Sequence, residues 1–195
     1  MGTMRITSRD DYLMFNRADW IALGSPSGLR ARLSHDIWKF QRLLRSLEYY
    51  RNCSHKSLNR LICVVRISRL SRLLAFTIPS NVFGPGLSIA HYGTLVVSAG
   101  AKIGANCRVH TGVNIGTAAG QSMAAPCIGD NCYIGPGAKL FGPIELGNNI
   151  AIGANAVVNK SFPEGNCTIA GVPAKRVSDK TSEGLLIKGY PLPPH

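Results

Sequence analysis

Acidic residues are scarce in this chain: ten Asp and Glu stand against 22 Lys and Arg, and charged residues of both signs make up only 16% of the 195. So low a charge content, beside 45% hydrophobic residues, excludes a chain that is disordered throughout and permits a packed core. Long apolar runs are also missing. No stretch approaches the ~18 apolar residues that a membrane-spanning helix needs. The six cysteines (53, 63, 107, 127, 132 and 167) form no C-x-x-C pair. The first residues include Arg5, Arg9, Asp10 and Asp11 and show no apolar leader segment. These absences lead us to expect a cytoplasmic protein whose reduced thiols pack as small hydrophobes.

What is present is unevenly placed. Fourteen of the 22 Lys and Arg lie in the first 80 residues, whereas 16 of the 21 Gly lie between Gly84 and Gly171. Residues 1–78 read as a helical region. Residues 1–23 have mixed helical polarity and are broken by the run Gly24-Ser25-Pro26-Ser27-Gly28. A second helix is expected from an N-cap at Ser34, with Ile37, Phe40, Leu43, Leu44 and Leu47 on one face. A third, from Lys56 to Phe76, groups Leu58, Leu61, Ile62, Val65, Leu70, Leu73 and Leu74, with Arg60, Arg66, Arg69 and Arg72 over much of the rest.

From residue 97 the period changes to six. Val97, Ile103, Val109 and Ile115 are followed, after a gap of thirteen, by Ile128, Ile134, Leu140, Leu146, Ile152 and Val158. Gly follows the aliphatic at 104, 116, 129, 135, 147 and 153, and a small or apolar residue stands four places after it. Neither a helix nor an ordinary strand has this period. A solenoid of short parallel strands does, with three hexads closing one triangular coil and the Gly relieving each tight turn. This solenoid is assigned to residues 79–177, and 178–195 to a C-terminal tail that is flexible from Gly189 onward.

These hexads resemble the hexapeptide-repeat acyltransferases, which fold as left-handed parallel β-helices. The stretch Phe83–Val177 is more narrowly similar to the serine acetyltransferase branch, through Ile89-Ala90-His91-Tyr92-Gly93, Ile115-Gly116-Thr117, the coil from Ile134 to Leu146, and Ala170-Gly171-Val172-Pro173-Ala174-Lys175. The resemblance implies a mainly β fold, a left-handed parallel β-helix behind an α-helical N-terminal segment. It also implies acetyl-CoA as co-substrate and a homotrimer with active sites between subunits.

Acetyl transfer from a thioester to a hydroxyl needs a base that titrates near neutrality, which suits histidine. Of five histidines, His35 and His55 lie on the helical front and His195 at the tail end, leaving His91 and His110 in the solenoid. Ile89 to Val97 is two residues longer than a hexad, so a bulge follows His91 and places Thr111 above it, with His110 one residue off register. His91 reads as the general base or as a hydrogen-bonded surface residue. His110 reads as a second base or acceptor ligand, or as a turn residue. The branch gives the base role to the histidine matching His91. Its acidic neighbour becomes Ala90, its upstream Asp falls at Phe76, and its Arg-His pair falls at Ala124-Ala125. The resemblance assigns CoA contacts to Gly116, Thr117, Pro136, Ala154 and Ala174, with Lys175 and Arg176 as cations for the CoA phosphates.

Free serine carries both an ammonium and a carboxylate, and the groups that would oppose them are replaced, so the reading preferred from sequence is transfer to a sugar hydroxyl of a surface polysaccharide or its precursor. Serine O-acetylation is the alternative, and a non-catalytic scaffold a more distant one. A zinc site would need a third histidine beside His91 and His110, so no metal is expected. The basic front carries no nucleic-acid motif, and no nucleic-acid partner is expected. Arg60, Arg66, Arg69 and Arg72 could instead meet an anionic glycan or the inner membrane surface as a peripheral contact, or remain a solvated or intersubunit face.

Overall fold

The computed structural model describes residues 4–26, 35–53, 57–121 and 124–192. Helix α1 (Arg9–Ala22) is capped by Ser8, whose hydroxyl accepts a hydrogen bond from the Asp11 amide at 3.0 Å. Helix α2 (Asp36–Asn52) opens at His35, whose Nδ1 accepts from the Trp38 amide at 3.2 Å. The expected cap, Ser34, lies outside the described residues. Ile37, Phe40, Leu44 and Leu47 are buried, as their spacing predicts.

Helix α3 (Ser57–Leu74) departs from expectation. Its buried residues are Cys63, Ile67 and Leu74, whereas Leu58 is 68% and Leu73 72% exposed, with Leu61, Ile62 and Val65 exposed as well. Among the described residues the helix packs mainly along α2, with a smaller contact to the first strand of the solenoid; this contact takes Cys63, Ile67, Leu70 and Leu74 and leaves the rest of the expected apolar group exposed.

The solenoid begins at β1 (Phe76–Thr77). With β3 (Leu95–Val97), β6 (Asn114–Gly116), β9 (Lys139–Phe141) and β12 (Val157–Val158) it forms one parallel face. The second face holds β4 (Lys102–Ile103), β7 (Cys127–Ile128) and β10 (Glu145–Leu146). The third holds β2 (Ser88–Ile89), β5 (Arg108–Val109), β8 (Tyr133–Ile134), β11 (Ala151–Ile152) and β13 (Thr168–Gly171), closed by the antiparallel β14 (Ala174–Ser178). The chain visits the third, first and second faces in rotation, one hexad per face. All ten hexad aliphatics point inward and are at most 2% exposed. The fold is a left-handed parallel β-helix behind a helical N-terminal segment.

The glycines after the aliphatics serve a different purpose from the one expected. None of the six has positive φ. Five of them are small because the next coil lies directly against them: a Cβ at Gly135 would stand 2.6 Å from the Ile152 carbonyl oxygen, whereas one at Gly116 would meet the Asn114 side chain of its own strand at 3.1 Å. The left-handed conformation falls two residues later, at Asn106, Gly112, Asn131, Gly137, Asn149 and Asn155. At the corner between the second and third faces these asparagines form a ladder. Asn106 donates to Asn131 at 3.0 Å, Asn131 to Asn149 at 3.0 Å, and Asn149 to Asn166 at 2.8 Å.

The helices are fastened to the first coil by a buried arginine. Arg45 donates to Asp19 at 2.8 Å and Glu48 at 3.0 Å, and to the Phe83 and Gly84 carbonyls at 2.9 and 2.7 Å. Asp19 also accepts from the Gly86 and Leu87 amides. Burial opposes the guanidinium charge, but Asp19 and Glu48 outweigh it and hold the Arg45 pKa above its ordinary value.

The C-terminal segment differs from the expected flexible tail. Tyr190 exchanges two hydrogen bonds with the Asn106 side chain, at 2.8 and 2.9 Å, and Gly189 is packed so closely that a Cβ there would meet the Ala18 carbonyl of α1. The segment therefore runs back along the asparagine corner to the helices. Residues 193–195, with His195, lie outside the described residues.

Candidate active site

Strand register positions the two solenoid histidines. Ser88 pairs with Arg108 and Ile89 with Val109, whereas beyond the bulge Val97 pairs with Ile115. The two extra residues therefore lie where the sequence placed them, and Thr111 follows His91 in the corner column. The same register continues from Arg108 to Tyr133 and from Tyr133 to Ala151. It stacks His91, Thr111, Pro136 and Ala154 along one corner at the ~4.8 Å strand spacing, with His91, Pro136 and Ala154 exposed.

The His91 and His110 rings are 5.8 Å apart between centroids, and His110 is also 5.0 Å from Tyr133. His110 occupies a glycine slot but has no positive φ. Its Nε2 is buried without a hydrogen bond among the described residues. Burial, then Arg108 and His91, push the His110 pKa below the ordinary 6.5.

A cleft of about 300 Å³ opens beside His91. Ser88, Ile89, Ala90 and Tyr92 line it from the solenoid, and Leu23, His35 and Ile37 wall it from the helical segment. Arg108 lines it too, so the site is not the uncharged one that the sequence suggested. Sequence reasoning missed both Arg108 and His35. The signal for Arg108 was available: it precedes the inward Val109, so alternation points it outward, and the bulge register sets it on Ser88.

Phe76 is a core residue, edge-on to Phe40 at 5.1 Å, and cannot orient a base. Ala124 and Ala125 are half-buried on the loop leaving β6, where Ser122 and Met123 lie outside the described residues.

The expected CoA residues fall into three places. Pro136 and Ala154 share the His91 corner. Gly116 and Thr117 stand at the next corner, where the loop departs. Ala174 is buried in the terminal β13–β14 hairpin, with Lys175 and Arg176 exposed and Arg176 paired to Asp179 at 2.8 Å. One chain does not bring the first two groups together, since they occupy different edges of the triangle.

No protein-family model matches the chain. Serine acetyltransferase of Synechococcus elongatus is 36% identical over 112 residues, covering 56% of this chain and 46% of that protein. Serine acetyltransferase of Staphylococcus epidermidis is 32% identical over 149 residues, covering 75% of this chain and 65% of that one. The crystal structure of serine acetyltransferase from Brucella abortus superposes with a TM-score of 0.68 at 25% identity, covering 89% of this chain and 72% of its own. The same enzyme is also solved in complex with coenzyme A, at a TM-score of 0.66 and 26% identity, covering 88% and 68%. Over its solenoid the chain is similar to serine acetyltransferases, which have the left-handed β-helix fold. It spans 46% of the length of the first of these curated relatives and 65% of the second.

Proposed function

We propose that this chain transfers an acetyl group from acetyl-CoA to an acceptor hydroxyl, with His91 as general base. The observation that carries this reading is the exposed His91, on the rim of a cleft and at the head of a solenoid corner, in a chain whose relatives are named serine acetyltransferases. In the step, the acceptor O–H proton passes to His91 as the oxygen attacks the thioester carbonyl. The C–S bond then breaks and the departing CoA thiolate takes up a proton. A related enzyme solved with coenzyme A supports acetyl-CoA as the donor.

The relatives favour L-serine as acceptor over the sugar hydroxyl preferred from sequence. One observation still favours a sugar: Ala90, core Phe76 and Ala124-Ala125 replace the branch's charged partners. Thiol release from acetyl-CoA with L-serine and, separately, with nucleotide sugars and surface glycans tests both. Efficient turnover of serine excludes the glycan reading, and turnover of a glycan alone excludes serine.

We assign the chemistry to the region 79–177, which holds all of the solenoid except its first strand, β1, with the helices of region 1–78 walling the acceptor side and residues 178–192 running back as a strap. Placement of Gly116 and Thr117 on a different corner from His91 supports a homotrimer whose neighbouring subunits complete each site. The exposed ridge of α3, with Leu58, Leu61, Ile62 and Val65 beside Arg60, Arg66, Arg69 and Arg72, supports a cytoplasmic protein in peripheral contact with an anionic membrane or glycan. None of the described helices is long and apolar enough to cross a membrane.

A further inference from the structure

Resting on the acetyl-transfer reading, we propose that Arg108 selects acceptors bearing a carboxylate, and that the cleft makes no matching demand for an ammonium group. Arg108 lines the same cleft as His91, from the strand one coil along, and is half-buried. The only hydrogen bond of its guanidinium among the described residues runs from Nη1 to Ser88 Oγ at 3.3 Å, and the group makes no ion pair there. Arg45 shows what a buried guanidinium in this protein otherwise receives, namely two carboxylates and two carbonyls. Arg108 thus keeps a planar fork of donors turned to an open cleft, the geometry that a carboxylate fills with two parallel hydrogen bonds.

Arg108 pairs in register with Ser88, three residues before His91. The cation and the imidazole therefore sit at separate points of one cleft, so an acceptor can anchor its carboxylate at Arg108 and present a hydroxyl to His91. Among the described residues, the remaining lining includes His35 and no Asp or Glu. An ammonium entering beside Arg108 would meet cationic or neutral walls only. Arg108 also contributes to the depressed His110 pKa, so its charge is felt at that imidazole.

The test is coenzyme A release with acceptor pairs that differ in charge: D-galacturonate against D-galactose, L-serine against L-serinamide, and L-serine against 3-hydroxypropanoate. In the first two pairs we expect the acceptor with the carboxylate to exceed the one without it by about tenfold or more in kcat/KM, through KM, and in the third, where both carry it, a difference below about tenfold. Arg108→Gln should remove that preference by about ten- to hundredfold while leaving the Kd for acetyl-CoA and the thermal midpoint unchanged. Arg108→Lys, which keeps the charge and loses the fork, should be intermediate. Equal turnover of neutral acceptors, or an unchanged preference in Arg108→Gln, would overturn the assignment. A tenfold advantage of L-serine over 3-hydroxypropanoate would overturn the part concerning ammonium. Absence of release with every acceptor would sink the transfer reading instead, and calorimetric titration of 3-hydroxypropanoate into the wild-type protein and Arg108→Gln then decides the role of Arg108 alone: binding lost in the variant supports it, and equal binding or none in both overturns it.

Discussion

At His91 the imidazole stands exposed on the rim of the cleft, while His110, one coil away, is half-buried against Tyr133. That difference separates their expected mutant phenotypes. His91→Ala should lower kcat for coenzyme A release by ~10²–10⁴ while leaving the fold intact. A loss of only a few-fold would move the base role to His110. His110 carries a second expectation, about pH. Above the ordinary 6.5 it is neutral in both the folded and the unfolded chain and contributes no pH dependence. As pH falls below 6.5, the unfolded imidazole takes a proton that the folded one resists, so stability is lost until the pH passes its lower folded pKa. His110→Gln should flatten this acid-side fall in urea midpoints, and an unchanged slope would remove His110 as its source. Both histidines could be picked from the sequence because the hexad frame numbers its corners. Their unequal burial could not, since it depends on Tyr133, which neighbours His110 only through the strand register.

Among the elements, the coils are fixed by two distinct columns that look alike in sequence. The glycine column is steric: Gly135→Ala places a methyl group 2.6 Å from a backbone oxygen of the next coil, where no side chain can move aside. A loss of ~1–3 kcal/mol in urea unfolding is expected. The column two residues on is conformational. Asn131 has φ near 54° and donates to and accepts from its ladder neighbours. Asn131→Gly keeps the left-handed backbone and loses the ladder bonds, whereas Asn131→Ala loses both. Alanine should therefore be the more destabilising by ~1 kcal/mol. Equal effects would mean that side-chain hydrogen bonds alone matter there. The six-residue period was legible because every coil repeats the same inward position. The division of labour between the two columns was not, because a glycine needed for close approach and one needed for positive φ read as the same letter.

For the molecule as a whole, attachment of the helices rests on Arg45, Asp19 and Glu48, all buried at the seam between helices and first coil. Arg45→Met leaves two buried carboxylates unpaired and should cost ~3–5 kcal/mol in urea unfolding. A cost below ~1 kcal/mol would show that apolar packing alone holds the seam. These charges gave no periodic signal, since residues 19, 45 and 48 meet only after two helices have packed. The apolar ridge of α3 shows the same limit in reverse. Its spacing forecast burial, and within one chain, among the described residues of the helix, only Cys63, Ile67, Leu70 and Leu74 pack against the core. If the subunits associate as proposed, light scattering should return the mass of three chains, and full acetyl transfer by a particle of one-chain mass would exclude sites shared between subunits.

The sequence by itself determined the solenoid, its three-sided coil, the bulge after His91 and the corner at which His91 stands. Each of these follows from counting along a repeat in which one residue type recurs at one depth. Only the tertiary structure decided that helices wall the cleft, that Arg108 lines it beside His91, and that the last residues run back to α1. Those facts depend on distances between segments far apart in the chain, which the packing of the folded molecule sets and no local pattern encodes.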